Sequence, residues 1–362
     1  KKLKNLDKID LLFHSEGGQY WNVFKPIIDE LEKKKIKSAY YTSKKNDPGL
    51  KSTYKYLKKE YIGENENSFE LLKNIKAKLF ITTTPQLNIF QLKKSKNVRE
   101  YVHLIHSPTD ALMYKYFAFD FFDSVMCSGK HQIESIRELE LIRKTNKKEL
   151  LETGLTYFDI LENGKNKQKS KLKNNSQKTI LIAPTWKDNN LLERYGIEPL
   201  KDLVSLGYNV ILRPHPQMFI SKREIILKIE KEIEKLHLIT IDKSLNPESI
   251  MEQSDILISD LSGIIFDFYF VFEKPVIAID GIISKSGQEA ELVSKEPWEI
   301  ENLEKIATII NPEDINNIGK YIDIAQKKTS KANIDKFRES SLFNYGTAGK
   351  VAANQILEKI KS

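Results

Sequence analysis

The stretch Ser254–Ile279 constrains the fold more strongly than any other part of the sequence. Residues 256–258 form a short apolar run, which is typical of a strand buried on both faces of a parallel sheet. The run ends in a turn of small hydroxyl residues with one glycine, and apolar residues at helical spacing then lead to a second apolar run. This order predicts a strand, a turn, a helix and a strand. The unpaired N–H groups at the helix start would suit a phosphate.

Strand-like and helix-like segments alternate along the whole chain. This alternation predicts α/β architecture with parallel sheets, in which ligands bind at the carboxyl ends of the strands. The architecture that fits is two Rossmann-like, doubly wound domains that face one cleft. The predicted strands lie at residues 9–13, 39–42, 78–82, 101–106, 124–127, 179–183, 209–212, 238–241, 256–258 and 276–279.

The domain boundaries follow from one polar segment. Residues 163–178 contain almost no apolar side chain and are rich in Lys, Asn and Gln, so we interpret them as a linker. We therefore expect an N-terminal domain over residues 1–162 and a C-terminal domain over residues 179–345. Residues 346–362 read as a final helix that could fold back on the N-terminal domain.

The charge of the chain favours anionic partners. Its 58 Lys and Arg against 50 Asp and Glu give a net charge of +8, although many lysines fall on predicted solvated helix faces. No aromatic residues are interleaved with the lysines of the linker, so we do not expect a nucleic-acid partner. Cys127 is the only cysteine, and no apolar run approaches the roughly 18–20 residues that cross a bilayer. These features predict a cytoplasmic protein.

Two histidines stand at the ends of predicted strands, one in each half of the chain. His106 and His215 could each take a proton from a hydroxyl or, when charged, stabilise a phosphoryl oxygen. Arg213 carries a planar fork that suits phosphate, and the alternative for it is an interdomain ion pair. Each lone histidine is otherwise a satisfied structural group.

The turn after residues 256–258 and the first strand end supply further candidates. Ser259 and Ser262 add neutral donors, and Asp260 or Asp267 could bind sugar hydroxyls, while Asp260 could instead cap the following helix. After the first strand, His14 with Gly17 and Gly18 could line a cleft or form a plain turn.

Several common enzyme motifs are absent from the sequence. It contains no phosphate-binding P-loop, no dinucleotide-binding glycine motif after the first strand, no H-E-x-x-H metal motif and no G-x-S-x-G nucleophile elbow. It also shows no carboxylate cluster that would hold Mg²⁺, whose use stays open.

An ordered set of motifs resembles the CDP-glycerol glycerophosphotransferase family, the teichoic-acid primases and polymerases of bacterial envelopes. The resemblance covers roughly residues 101–350 and rests on A-P-T-W at 183–186, R-P-H-P at 213–216, S-D-I-L-I-S-D-L-S-G at 254–263, F-D at 266–267 and K-P-V at 274–276. It implies a GT-B fold, with the acceptor on the N-terminal domain and CDP on the C-terminal domain.

The resemblance also implies roles for individual residues. His106 matches the family's probable base, although its segment HSPTDA departs from the family's H-G-T-P-L-K. Arg213 and His215 match the R-P-H-P segment, and Thr185 lies in the P-T-W segment. The members matching the pyrophosphate-binding segment and the following Asp are Ser259, Asp260, Ser262, Gly263 and Asp267, with glycine in place of the family's second serine.

The function implied is transfer of a polyol phosphate, first of all glycerol phosphate, from a CDP-activated donor such as CDP-glycerol to a hydroxyl of a surface glycan or teichoic-like polymer. CMP would be released. The acceptor would be an anionic glycan or a lipid-linked molecule, and the enzyme would work at the inner face of the membrane. The alternatives are a GT-B glycosyltransferase that uses a nucleotide sugar and a non-catalytic module that binds an anionic polymer.

Overall fold

The computed structural model describes residues 9–64, 66–168, 177–234, 236, 239–244, 247–279 and 285–361, without the side chains of residues 67 and 166–168. The chain forms two compact units. The first unit comprises Lys1–Ile160, Lys285–Trp298 and Glu339–Ser362, and the second comprises Leu161–Ser284 and Glu299–Arg338.

Strands and helices alternate in the first part of the chain, as the sequence predicts. The elements are β1 (Ile9–Ser15), α1 (Trp21–Lys33), β2 (Ser38–Thr42), β3 (Leu57–Tyr61), α2 (Glu66–Lys73), β4 (Ala77–Thr82), β5 (Val98–Leu104), β6 (Ser124–Cys127), α3 (Lys130–Arg143), β7 (Glu149–Glu152) and α4 (Thr156–Gln168).

The second part of the chain continues the alternation and ends in three longer helices. Its elements are β8 (Thr179–Ile182), α5 (Leu191–Tyr195), α6 (Glu198–Ser205), β9 (Asn209–Leu212), α7 (Met218–Ser221), α8 (Arg223–Ile233), β10 (Ile239–Ile241), α9 (Glu248–Gln253), β11 (Ile256–Ser259), α10 (Ile264–Phe270), β12 (Val276–Ile279), α11 (Trp298–Glu301), α12 (Leu303–Ile306), β13 (Thr308–Ile310), α13 (Ile318–Lys328), α14 (Lys331–Ser341) and α15 (Ala348–Lys361).

Each unit contains one parallel sheet with the doubly wound strand order. The sheet of the first unit runs β3-β2-β1-β4-β5-β6-β7, and the sheet of the second runs β10-β9-β8-β11-β12-β13. In each sheet the order reverses once, between β1 and β4 or between β8 and β11, and such a reversal is where open α/β sheets bind ligands. The predicted α/β, Rossmann-like fold of both halves is confirmed.

Apolar side chains fill both faces of the first sheet. Leu12, Phe80 and Tyr101 belong to the cluster on one face, and Leu11 and Leu79 belong to the cluster on the other. In the second unit, the central strands are almost continuously apolar and buried, as in other parallel sheets covered on both faces.

The strands that the sequence pattern did not reveal all lie at sheet edges. β3 and β7 are the edges of the first sheet, and β13 is an edge of the second. β3 has the sequence LKKEY and β7 the sequence ELLE, so charged residues interrupt the apolar pattern. Charges on an edge strand oppose pairing with another chain, which explains why such strands lack a strong apolar signal.

The compact units differ from the predicted division of the chain at the linker, at residues 285–298 and at residues 339–345, which belong to the first unit. Helix α4 runs through Gln168, so the first residues of the segment predicted as linker are helical, while 169–176 lie outside the described residues. Lys285–Trp298 belongs to the first unit, although the prediction placed it in the second domain. Buried Glu289 pairs there with Arg143 of α3, and no local sequence pattern foretells such a distant ion pair.

No helix within the described ranges has both the length and the apolar character needed to cross a membrane. The final helix, α15, packs against α1 in the first unit.

The contact between α15 and α1 leaves no room for a side chain at Gly349. A Cβ there would lie 2.5 Å from the Cβ of Pro26 and 2.9 Å from its carbonyl carbon. We expect Gly349→Ala to lower the free energy of unfolding by about 1–3 kcal/mol because the two helices would be forced apart. Urea denaturation measures this change.

Gly164→Ala is the matched control, since Gly164 is also helical and a Cβ there would meet nothing within 4 Å. Alanine at this position should leave stability unchanged or raise it by up to about 1 kcal/mol. Equal effects of the two substitutions would contradict the close helix contact.

Candidate active site

The carboxyl ends of β8 and β11 flank the point where the strand order of the second sheet reverses. Ser259, the last residue of β11, is fully buried, and its hydroxyl donates to the carbonyls of Ala183 (2.6 Å) and Asp260 (2.7 Å). The Ser259 hydroxyl therefore joins the two strand ends. Its predicted contact with phosphate stays a prediction.

The carboxylate of Asp260 joins the same two loops. It accepts hydrogen bonds from the backbone N–H of Thr185 and from that of Leu191 (2.9 Å). Burial raises the pKa of the Asp260 carboxyl above its ordinary value, although these two hydrogen bonds act in the opposite direction. The structure thus brings the predicted site residues Thr185 and Asp260 together. Asp260 follows β11, yet its carboxylate holds the loop after β8 and caps the first residue of helix α5.

His215 stands beside the exposed indole of Trp186, with ring centroids 6.3 Å apart. The backbone N–H of Gln217 donates to His215 Nδ1 at 3.1 Å, so the proton of the neutral ring lies on Nε2. Partial desolvation and then the charge of Arg213 lower the pKa of His215. At neutral pH the ring can therefore offer an Nε2–H donor to an anionic ligand.

Arg213 has several partners within the protein, and its predicted contact with phosphate stays a prediction. Its guanidinium pairs with Asp242 and also donates to the hydroxyl and carbonyl oxygens of Ser244, each at 3.0 Å. Only 7% of Arg213 is exposed. Both partners of this ion pair lie within the second unit, so it is not the interdomain ion pair considered from sequence. Arg213 anchors the loop after β10 to the R-P-H-P segment.

A cavity of about 170 Å³ lies next to this anchor. Its walls are the apolar side chains of Pro214, Pro216 and Phe219, and Arg213 with residues 242–244 forms its polar rim. Its volume is below the roughly 300–1,000 Å³ of a typical small-molecule pocket.

The remaining candidates of the second unit surround the start of α10. Ser262 is half-buried and Gly263 is exposed, in an ordinary backbone conformation where a Cβ would meet nothing within 4 Å. The family's serine would therefore fit at position 263. Asp267 lies in the first turn of α10 and is half-buried. Their predicted contact with phosphate stays a prediction.

Within the described part of the chain, no three His, Cys, Asp or Glu side chains come together as a metal site. The described residues therefore do not show which side chains would bind Mg²⁺, and its use by the protein stays an open question.

In the first unit, the strand order reverses between β1 and β4. His14, near the end of β1, lies with Nδ1 3.2 Å from the hydroxyl of Thr82, and its Nε2 has no hydrogen-bond partner among the described residues. Ser15 donates its hydroxyl to the carbonyl of Gly17, while a Cβ on Gly18 would lie 2.8 Å from Pro48. Gly18 is thus needed for packing, and the plain turn considered from sequence accounts for it.

His106 follows β5, the strand beside β4. Its side chain is half-buried, and Nδ1 lacks a hydrogen-bond partner in the described ranges. The ring of Tyr20 meets it edge-on with centroids 5.0 Å apart. Burial lowers the pKa of His106 to about 4, so the ring is neutral at pH 7.

Two polar groups near this edge were not singled out from the sequence. His103 is fully buried on the same sheet face as His14 and Thr82, and its ring packs against Phe119 at 5.0 Å. Glu16 is half-buried, and this burial raises the pKa of its carboxyl. His103 falls inside an apolar run. Only the alternation of side chains along β5 could have predicted that it shares a sheet face with His14.

The buried histidines should make the stability of the protein sensitive to acid. Burial lowers the pKa of His103 from 6.5 to about 3, so below pH 6.5 the unfolded chain binds a proton that the folded chain excludes. Its stabilising contribution is full above pH 6.5 and is lost as the pH falls toward 3. We expect His103→Phe to flatten the dependence of the urea midpoint on pH between 7 and 4.5. An unchanged slope in this variant would contradict the assignment.

Comparison with solved structures shows similar folds at low sequence identity. The S. aureus MnaA–UDP co-structure gives a TM-score of 0.62 at 12% identity, covering 98% of this chain and 97% of that chain. UDP-GlcNAc 2-epimerase from Neisseria meningitidis bound to UDP-GlcNAc gives 0.58 at 12% identity, covering 96% and 99%. A glycosyltransferase from Rickettsia africae ESF-5 gives 0.53 at 14% identity, covering 98% and 100%. These similarities show the GT-B type of fold.

Comparison with curated protein sequences finds no match. The family model described as CDP-Glycerol:Poly(glycerophosphate) glycerophosphotransferase matches residues 2–280, more than three quarters of the chain, including the A-P-T-W, R-P-H-P and S-D-L-S-G segments. The matched span takes in both strand-order reversals and the two histidines at the strand ends. The family predicted from these motifs is confirmed, and the chain belongs to the CDP-glycerol:poly(glycerophosphate) glycerophosphotransferase family.

Proposed function

We propose that this protein transfers a polyol phosphate, with glycerol phosphate as the first choice, from a CDP-activated donor to a hydroxyl of an anionic glycan or lipid-linked polymer. The observation that carries the proposal is the family match over residues 2–280. It is supported by the position of His215, whose Nε2–H is presented at the carboxyl edge of the second sheet.

The proposed reaction breaks the phosphoanhydride bond of the CDP-activated donor and forms a phosphodiester bond to the acceptor. The acceptor oxygen forms a bond to the phosphorus that carries the polyol, and the bond from that phosphorus to the bridging oxygen of CMP breaks. His106 takes the proton of the acceptor hydroxyl, and CMP leaves with the electron pair of the broken bond. Stabilising the leaving phosphate requires hydrogen-bond donors that are already held in position.

His215 is suited to the leaving-group role because its protonated nitrogen is fixed. The hydrogen bond from Gln217 N–H occupies Nδ1, so Nε2 keeps the hydrogen that a phosphate oxygen needs. Ser262 and the backbone of Gly263 supply the other proposed donors. Arg213 contributes indirectly, since its ion pair with Asp242 holds the segment that carries His215.

We further propose that the enzyme works at the inner face of the membrane, where a lipid-linked acceptor would be found. The net charge of +8 supports attraction to an anionic surface or polymer. A GT-B glycosyltransferase is the second candidate function, because the solved structures with similar folds include a glycosyltransferase. The two functions differ in whether a CDP-polyol or a sugar nucleotide is consumed.

Three variants of His215 test the proposed role. We expect His215→Ala and His215→Asn to lower kcat for CMP release at least about 100-fold, since removal of one preorganised donor costs that much in other enzymes. His215→Gln places an amide N–H near the position of Nε2 and should keep more activity than His215→Asn. CMP release from CDP-glycerol with a polyol-phosphate acceptor is the measurement.

Gln217→Ala is the matched control, because the backbone of Gln217 and not its side chain contacts His215. Its kcat should stay near that of the unmodified protein. Full activity of His215→Ala would contradict the proposed site, and turnover of a sugar nucleotide in place of CDP-glycerol would support the glycosyltransferase.

A further inference from the structure

The loop that carries His106 is held by the first turn of α3. Gln132, which is fully buried, donates its amide N–H groups to the carbonyls of Ser107 (3.0 Å) and Thr109 (2.8 Å). Its amide oxygen accepts the backbone N–H of Ser128 at 2.7 Å. His131 donates from Nε2 to the carbonyl of Pro108 at 2.9 Å. Three successive carbonyl groups after His106 are thus bound by two adjacent side chains.

A segment distant in sequence supports this contact from outside. The ring of Trp298 stacks on His131 with centroids 4.4 Å apart and an interplanar angle of 18°. Buried Asp110 accepts the backbone N–H of Trp298 at 2.9 Å and that of Leu112 at 3.1 Å. The loop over residues 107–110 is therefore fixed at each of its four residues.

The imidazole of His106 depends on this loop for its position. The described residues give Nδ1 no hydrogen bond, and the ring contact is the edge of Tyr20. A catalytic group that is displaced by about 1 Å can lose a factor of about 100 in rate. Because no side chain holds the ring by a hydrogen bond to Nδ1, the backbone after His106 must define where the ring lies.

We propose that Gln132, assisted by His131, is a positioning residue that fixes His106 for proton transfer. The inference rests on the proposed function, in which His106 is the base. It explains how the segment HSPTDA can serve although it departs from the family's pattern, because the side chains of α3 hold this backbone through its carbonyl groups. Gln132 makes no contact with substrate in this proposal and acts through the loop alone.

The test compares Gln132→Met with Ser135→Ala. Methionine keeps the length of the side chain but donates no hydrogen bond, while Ser135 lies on the same helix, is buried, and has a hydroxyl without a partner among the described residues. We expect Gln132→Met to lower kcat at least tenfold with the KM for the CDP-polyol donor within twofold, and Ser135→Ala to change neither.

A second readout does not depend on activity. Histidine NMR, with His106 assigned through His106→Gln, follows the titration of this ring in each variant. We expect the titration of His106 to move toward its ordinary range in Gln132→Met, because a displaced ring becomes better hydrated. A simple loss of folded molecules would lower kcat without moving the titration of the folded remainder.

His131→Phe keeps the stacking on Trp298 and removes only the bond to Pro108, so it replaces Gln132→Met if that variant does not fold. An unchanged His106 titration and unchanged kcat in the variant that folds would overturn the inference. If His106→Gln retains full activity, the proposed base is wrong, whereas the NMR comparison still decides whether Gln132 fixes the ring.

Discussion

The carboxylate of Asp260 joins the loops on both sides of the strand-order reversal in the second sheet. By accepting the N–H groups of Thr185 and Leu191, it shapes the loop after β8 against the turn that follows β11. The hydroxyl of Ser259 adds a bond to the carbonyl of Ala183. Parallel strands leave all their carboxyl ends at one edge, so a buried group that ties neighbouring loops together determines what that edge can present to a ligand.

The two units organise their sheet edges by the same means. In the second unit Arg213 holds the loop after β10, and this leaves His215 exposed with its hydrogen-bond direction set by Gln217. In the first unit Gln132 and His131 hold the loop after β5, and His106 Nδ1 has no hydrogen-bond partner among the described residues. In each case buried side chains fix the backbone, while the histidine itself keeps an atom available for chemistry.

Local patterns in the sequence were sufficient for the central strands and for the family, since buried parallel strands are continuous apolar runs and the motifs lie at their ends. Edge strands such as β3 were missed because their charged residues interrupt that pattern. The hydrogen bonds of Ser259, Asp260 and Arg213 could not be predicted from sequence, because their partners, such as Ala183 and Asp242, are distant in the chain.

Calorimetric titration with CDP-glycerol, CDP-ribitol, CMP, UDP and UDP-GlcNAc tests the central claim most directly. If the donor is a CDP-polyol, we expect the cytidine nucleotides to bind and the uridine nucleotides to bind at least tenfold more weakly. A preference for uridine nucleotides would contradict a CDP-polyol donor and favour a glycosyltransferase. Absence of any nucleotide binding would contradict both enzymatic functions and leave a protein that binds an anionic polymer.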